Sequence, residues 1–150
     1  MRRVIAAIVM LICARGWAAN LVPNPSAEAG DQAPDSWHAI PAARGFWHQG
    51  GARFGERCLG LDASERPAAW RTKATYGTAF QGYRLSGWIR SEGGTGWIEA
   101  RFLGLHGRCL NIVRTPVTRE RSWAYVAVEI PAASAPGGSP HRLSWLCLLR

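Results

Sequence analysis

The chain has 150 residues, which is enough for one domain with a hydrophobic core and too few for two. Its formal charge is +8, but the arginines from Arg44 to Arg150 are spread among tryptophans and glycines, whereas a nucleic-acid-binding protein needs them clustered on one surface. Length excludes a multidomain protein, and the scattered charge argues against a nucleic-acid partner.

The first 18 residues have the pattern of a secretory signal peptide. Two arginines precede an uncharged apolar run at 4–14, and small residues follow it. Gly16 and Ala18 stand where a signal peptidase needs small side chains, so we expect cleavage after Ala18 and a mature domain over residues 19–150. The 11-residue run is short of the roughly 20 residues of a membrane-spanning helix, and no later segment spans a bilayer. We expect an exported protein, periplasmic or extracellular.

Short segments with alternating apolar and polar residues predict strands along the rest of the chain. Glycine and proline, 17 and 9 in number, interrupt it every few residues, and no long segment has a helical period. The clearest strands are predicted at 83–90, 97–103 and 123–130. Weaker ones are predicted at 21–22, 37–40, 45–48, 57–62, 69–74, 108–113 and 142–149, with a loop at 132–140. This spacing predicts an all-β sandwich or barrel.

The strands at 83–90 and 97–103 are joined by a glycine-rich segment and predict a hairpin. With its apolar residues facing inward, the polar and aromatic residues share one outer surface, and the strand at 123–130 extends that surface if it joins the same sheet. Aromatic rings and hydrogen-bonding side chains together are typical of sites for sugars. The candidate binding residues are Arg84, Trp88, Arg90, Trp97, Glu99, Arg101 and Tyr125. Trp88 and Trp97 could equally be half-buried structural residues.

Nothing in the sequence has the pattern of a catalytic or metal site. No GxSxG, HExxH or phosphate-binding GxxxxGK[ST] motif occurs, and the four histidines are scattered. Glu99 and Glu129 are the one carboxylate pair that could serve glycoside hydrolysis, and neighbouring arginines would lower their pKa values. The mature chain keeps Cys58, Cys109 and Cys147, so at most one disulfide can form, and its pairing stays open. We expect no enzyme.

Four segments in order resemble the jelly-roll carbohydrate-binding modules of the galactose-binding-domain-like superfamily, of the CenC type. They are NLVPNPSAEAG at 20–30 with PDSW at 34–37, YRLSGWIR at 83–90, TPVT at 115–118 and WAYVAVEIP at 123–131. The resemblance implies a jelly-roll β-sandwich that binds a polysaccharide without reacting with it.

Family members usually have one more strand after the position of 142–149, and that strand helps to hold a structural calcium. The resemblance therefore makes Glu28 and Asp31 candidate calcium ligands, although two carboxylates fall short of the roughly six to eight oxygens that calcium takes. A missing last strand would leave 142–149 as an exposed apolar edge, where the chain could self-associate. The alternative function is an envelope protein-interaction or adhesion domain with no glycan ligand.

Overall fold

The computed structural model describes residues 3–7, 20–77, 82–131 and 141–149. Over these residues the chain forms strands, and its helical parts are two 3-10 turns, Ala42–Arg44 and Leu105–Gly107. The strands are β1 (Arg3–Ala7), β2 (Trp37–Ile40), β3 (Gly45–Gln49), β4 (Arg57–Asp62), β5 (Ala68–Thr72), β6 (Thr75–Gly77), β7 (Tyr83–Ser91), β8 (Gly96–Leu103), β9 (Cys109–Arg114), β10 (Ala124–Ile130) and β11 (His141–Leu149). The predicted all-β class is confirmed.

The strands form two antiparallel sheets. A five-stranded sheet has the order β10-β7-β1-β4-β3, and a six-stranded sheet has the order β2-β5-β11-β8-β9 with β6 beside β11. Alternate residues of β4, β7 and β8 point into the space between the sheets, where they belong to one hydrophobic core. Its fully buried members include Leu59 and Leu61 of β4, Leu85 and Ile89 of β7, and Ile98 and Phe102 of β8. Burying each such side chain contributes about 1.5–3 kcal/mol.

Most predicted strands lie where the sequence pattern put them. The strands at 37–40 and 57–62 have the predicted bounds. The strand predicted at 69–74 is β5, which ends at Thr72, and β6 follows it from Thr75. The prediction of a strand at 21–22 is wrong, because Val22 donates its N–H to Asn20 Oδ1 in a local turn. Trp37 and Trp70 lie in the core, each 5% exposed, as the sequence predicted. The loop predicted at 132–140 lies outside the described residues.

The predicted hairpin of β7 and β8 is wrong. β7 belongs to the five-stranded sheet and β8 to the six-stranded sheet, so the chain crosses between the sheets after Ser91. The Ser91 hydroxyl closes this turn by accepting the Gly94 N–H at 3.0 Å and donating to the Gly94 carbonyl at 2.7 Å. Since both strands turn their apolar faces to the core, their polar faces point to opposite sides of the molecule.

The C-terminal strand β11 is not an edge strand. The prediction that the chain self-associates through an exposed C-terminal edge is therefore wrong, because the backbone of β11 is paired on both sides. β11 pairs with β8 over eight residues on one side and with β5 and β6 on the other. Trp145, predicted to be a core residue, stands in register with the buried Ala100. Among the described strands, the sheets end at β3, β10, β2 and β9.

β1 is the middle strand of the five-stranded sheet, although its residues belong to the predicted signal peptide. Its backbone pairs with β4, where Val4 is opposite Leu61 and Ala6 is opposite Leu59. On its other side it pairs with β7, from Ala7 opposite Trp88 to Val4 opposite Ser91. β4 and β7 are therefore joined through β1 and not directly. The signal peptide stays a prediction.

The segment before β2 is organised around Asn24. The Asn24 side chain donates to the carbonyls of Ala29 (2.8 Å) and Asp35 (3.1 Å) and accepts the Ala29 N–H at 3.0 Å. Its own carbonyl accepts the Trp37 indole N–H at 2.9 Å. These bonds fix a compact turn that places Glu28 beside the loop between β3 and β4.

Within the described ranges, no helix is long and apolar enough to cross a membrane.

Candidate functional site

The outer face of the five-stranded sheet brings together four of the seven predicted binding residues. Arg84, Trp88 and Arg90 alternate with core residues along β7, and β10 pairs with β7 so that Tyr125 stands opposite Trp88. The two ring centroids are 5.3 Å apart. The strand predicted at 123–130 thus joins the sheet of β7 and not that of β8.

A loop that the sequence analysis did not single out completes this face. Residues 50–55 connect β3 to β4 and fold over β7, where the Phe54 ring meets Trp88 edge-on with centroids 6.1 Å apart. The Arg53 guanidinium lies 4.6 Å from the Phe54 centroid and 4.8 Å from the Trp88 centroid. We call this group the arginine–aromatic surface; it consists of Arg53, Phe54, Arg84, Trp88, Arg90, Trp123 and Tyr125.

Glu28 holds this loop in place. Its Oε1 atom accepts the backbone N–H groups of Glu56 and Arg57, each at 3.0 Å, and the Gly50 N–H donates to the Glu56 carbonyl at 2.7 Å. Gly55 has a φ of +73°, and a Cβ there would lie 2.2 Å from Glu28 Oε1. The glycine is required both by its backbone conformation and by the approach of this carboxylate.

The arginines of this surface pack against rings more than against acids. Arg90 lies 5.3 Å from the Trp123 centroid, and Arg84 lies 6.0 Å from that of Tyr125. Arg84 Nε is 3.6 Å from Glu129 Oε1, which is an ion-pair distance but too long for a hydrogen bond. The Nε atoms of Arg84 and Arg90 are buried, with no hydrogen-bond partner among the described residues.

The other three predicted residues lie on the opposite side of the molecule, so the expected single surface is divided in two. Trp97, Glu99 and Arg101 alternate along the outward face of β8 in the six-stranded sheet. Glu99 is 1% exposed, with Arg101 Nε 2.6 Å from one of its oxygens and Arg114 Nε 2.7 Å from the other. Burial favours the neutral acid, but the hydrogen bonds and charges of Arg114 and Arg101 outweigh it and lower the pKa of Glu99.

The carboxylate pair considered for glycoside hydrolysis is separated in the same way. Glu129 is on the outer face of the five-stranded sheet, and Glu99 is on that of the six-stranded sheet. Two carboxylates on opposite sides of a molecule cannot flank one glycosidic bond. This pair therefore does not fit that chemistry.

A cleft of about 520 Å³ lies at the other end of the five-stranded sheet, lined by Ala43, Arg44, Gly45, Phe46, His48, Asp62 and Glu92. Phe46 of β3 is paired with Gly60 of β4, where a Cβ would lie 1.9 Å from the Phe46 ring. Gly60 is in register with Ile5 of β1, which is in register with Arg90. The cleft and the arginine–aromatic surface therefore lie on one face, with β1 between them.

The donors expected for calcium have other surroundings. Glu28 Oε1 accepts hydrogen bonds from two backbone N–H groups. Within the described residues, no group of three or more His, Cys, Asp or Glu side chains could hold a metal ion. Calcium binding by Glu28 and Asp31 stays a prediction. Cys58 is buried and free, and Cys109 is exposed and free. Burial raises the pKa of the Cys58 thiol, although Arg90 opposes this.

Comparisons with known proteins add no relative to this picture. No protein-family model matches the chain. No curated protein matches it either.

Proposed function

We propose that this chain is an exported, non-catalytic carbohydrate-binding domain of the jelly-roll type, and that its ligand lies across the outer face of the five-stranded sheet. The observation that carries the proposal is the arginine–aromatic surface. Rings supply flat apolar area with little conformational entropy to lose, and charged or polar groups beside them orient a ligand that has many hydroxyl groups.

The shape of this face fits an extended ligand. Tyr125 and Phe54 at one end are 45% and 49% exposed, so a ligand can reach both rings. The cleft around Phe46 and His48 is at the other end of the same face. While β1 is present, a polysaccharide chain can contact both ends, whereas a single sugar residue cannot. The arginine–aromatic surface contains no residue of β1 and belongs to the chain that cleavage after Ala18 would leave.

Binding to soluble polysaccharides tests the proposal, with affinity electrophoresis of the purified protein in gels that contain a glucan, xylan, galactan or polygalacturonate. We expect retardation by at least one of them, and a loss of about tenfold or more in affinity for Trp88→Ala, because this variant removes the ring against which Arg53, Phe54 and Tyr125 pack. A tenfold loss corresponds to about 1.4 kcal/mol. Trp88→Phe keeps an aromatic ring and should retain most of the binding.

Trp97→Ala is the matched control, because it removes the same side chain from the opposite side of the molecule. It should leave retardation unchanged, with circular dichroism checking that all three variants are folded. Binding to a glycan that survives Trp88→Ala and is lost in Trp97→Ala would contradict the proposed face.

The second candidate, a protein-interaction domain, is favoured by the edge strand β9. Leu110 and Ile112 on this strand are 45% and 42% exposed, and an exposed apolar edge offers backbone groups for pairing with another chain. If no polysaccharide binds and sedimentation gives a mass that rises with protein concentration, this candidate replaces the first. Ile112→Lys should then restore the monomer mass.

A further inference from the structure

We infer that the ligand of the arginine–aromatic surface is an anionic polysaccharide, whose carboxylate or sulfate groups bind Arg53, Arg84 and Arg90. This inference rests on the proposed function and names the substrate class of the same site.

The packing of these arginines leaves their terminal Nη groups, and not their Nε atoms, as the donors for a ligand. The Nε atoms of Arg84 and Arg90 are buried without a hydrogen-bond partner among the described residues. Arg53 Cζ lies 4.8 Å from the Trp88 centroid and Arg90 Cζ lies 5.3 Å from that of Trp123, so a ring beside each guanidinium holds it in place. A contact with a ring does not use up the N–H donors of a guanidinium, and the Nη groups can donate two hydrogen bonds to a carboxylate or sulfate.

The charge of this surface is only partly balanced by ion pairs within the protein. Among the described residues, one carboxylate lies within ion-pair distance of its three guanidinium groups, namely Glu129, 3.6 Å from Arg84, and Glu28 binds backbone N–H groups next to the loop that carries Arg53. Within residues 20–77 and 82–131, Arg53 and Arg90 form no ion pair with an acidic side chain. A ligand that brings negative charge gains attraction here, whereas a neutral ligand leaves the repulsion between the guanidinium groups in place.

The rings of this surface are partly covered, which also argues against a neutral sugar as the main ligand. A neutral sugar needs an open ring face for its C–H groups, but Arg53 lies over Trp88 and Phe54 meets it edge-on. Tyr125, which is 45% exposed, remains as a place for a sugar ring to stack. The surface therefore combines two exposed rings, Phe54 and Tyr125, and the covered ring of Trp88 with three guanidinium groups.

The spacing of the charges requires a polymer. Arg84 and Arg90 are on the same face of β7, six residues apart, which is about 20 Å along an extended strand. One acidic sugar cannot contact both guanidinium groups. A chain with a negative charge on successive residues can.

The test compares anionic with neutral polysaccharides on the same purified protein. The probes are polygalacturonate and alginate for carboxylates, dextran sulfate for sulfates, and galactan, xylan and unmodified dextran as neutral counterparts. We expect the anionic probes to bind at least tenfold more tightly than the neutral ones, and the binding to weaken as sodium chloride is raised from about 50 to 500 mM, because salt screens these charges.

The variant Arg53→Gln/Arg90→Gln should bind polygalacturonate or dextran sulfate at least tenfold more weakly and leave any binding of neutral glycans within twofold. The control Arg66→Gln/Arg108→Gln removes the same charge from exposed positions outside the surface and should bind like the wild type. Which anionic probe is retained more strongly identifies the charged group as carboxylate or sulfate.

Each other outcome decides between this inference and the proposed function. Binding to neutral glycans alone, lost in Trp88→Ala, keeps the proposed function and overturns the anionic ligand. Anionic binding that the double variant leaves unchanged also overturns it. Single-stranded DNA retained as tightly as polygalacturonate, and lost in the same variant, would assign the surface to nucleic acid. No binding to any polysaccharide overturns both proposals.

Discussion

The two outer faces of the molecule are built from the same residue types and use them in opposite ways. On the six-stranded sheet, Glu99 is buried between Arg101 and Arg114, and its two oxygens take one guanidinium nitrogen each. On the five-stranded sheet, Arg53 and Arg90 lie against the rings of Trp88 and Trp123.

The difference lies in where the charge is satisfied. A carboxylate that is 1% exposed must be paired within the protein, because an unpaired buried charge costs several kcal/mol. Guanidinium groups at a solvated surface need no such partner and remain able to bind one from outside. Composition alone therefore does not distinguish a structural ion pair from a surface whose arginines pack against rings; the burial of the acid does.

The largest expected effect comes from removing the cations around Glu99. Arg101→Met/Arg114→Met should lower the free energy of unfolding by about 3 kcal/mol at pH 7, because it leaves the buried carboxylate without its partners. Urea denaturation followed by tryptophan fluorescence measures the change. Arg53→Met/Arg90→Met on the opposite face is the matched control and should cost less than about 1 kcal/mol. Equal losses of unfolding free energy in the two double variants would show that the arginines of the two faces contribute equally to stability.

A smaller effect is expected at the anchor of the loop at 50–55. Glu28→Ala removes the acceptor of two backbone N–H groups and should cost about 1–2 kcal/mol of stability. The same substitution should weaken the contacts of Arg53 and Phe54 with Trp88 and so expose the Trp88 indole to solvent. Acrylamide quenching of tryptophan fluorescence measures this exposure. Glu28→Gln keeps a carbonyl oxygen and should behave nearly like the wild type. Equal quenching in all three proteins would show that the loop holds its place without Glu28.

The smallest effect is on the pH dependence of stability. The pKa of Glu99 is lower in the folded protein than its ordinary value of 4.5, so its stabilisation is present above that value and is lost as pH falls through the folded pKa. The difference in stability between wild type and Glu99→Gln should therefore narrow as the pH is lowered below 4.5. The difference in unfolding free energy between the wild type and Arg53→Gln/Arg90→Gln should stay constant over the same pH range. If the difference between the wild type and Glu99→Gln instead widens as the pH falls, the pKa of Glu99 is raised by folding and not lowered.

The sequence predicts strands and their inward faces well, because alternation is a local property. Leu85, Ile89, Ile98 and Phe102 are buried as their pattern indicated. Which sheet a strand joins is decided by partners distant in sequence, and the glycine-rich turn after Ser91 suits a hairpin and a crossing between sheets equally. For that reason Trp88 and Trp97 were expected together and lie apart.

Two parts of the site, the loop at 50–55 and Glu28, could not be assigned their roles from the residues adjacent to them in the sequence. The loop at 50–55 carries three glycines with positive φ, which marks a tightly shaped loop, but only its tertiary fold brings Phe54 to Trp88. Glu28 was considered as a metal ligand, since a lone carboxylate gives no sign of whether it binds a cation or backbone N–H groups. Its position beside Glu56 and Arg57 depends on the turn built around Asn24.

The place of β1 links the predicted cleavage after Ala18 to the shape of the outer face of the five-stranded sheet. Cleavage after Ala18 would take away the strand that pairs with Leu59–Asp62 on one side and Trp88–Ser91 on the other, opening a gap about 10 Å wide, or two strand spacings. Buried backbone groups along such a gap require new partners, so the two halves of the sheet must close together or admit another strand. Because Trp88 and Gly60 border the gap, precursor and mature chain would offer a ligand two differently shaped faces.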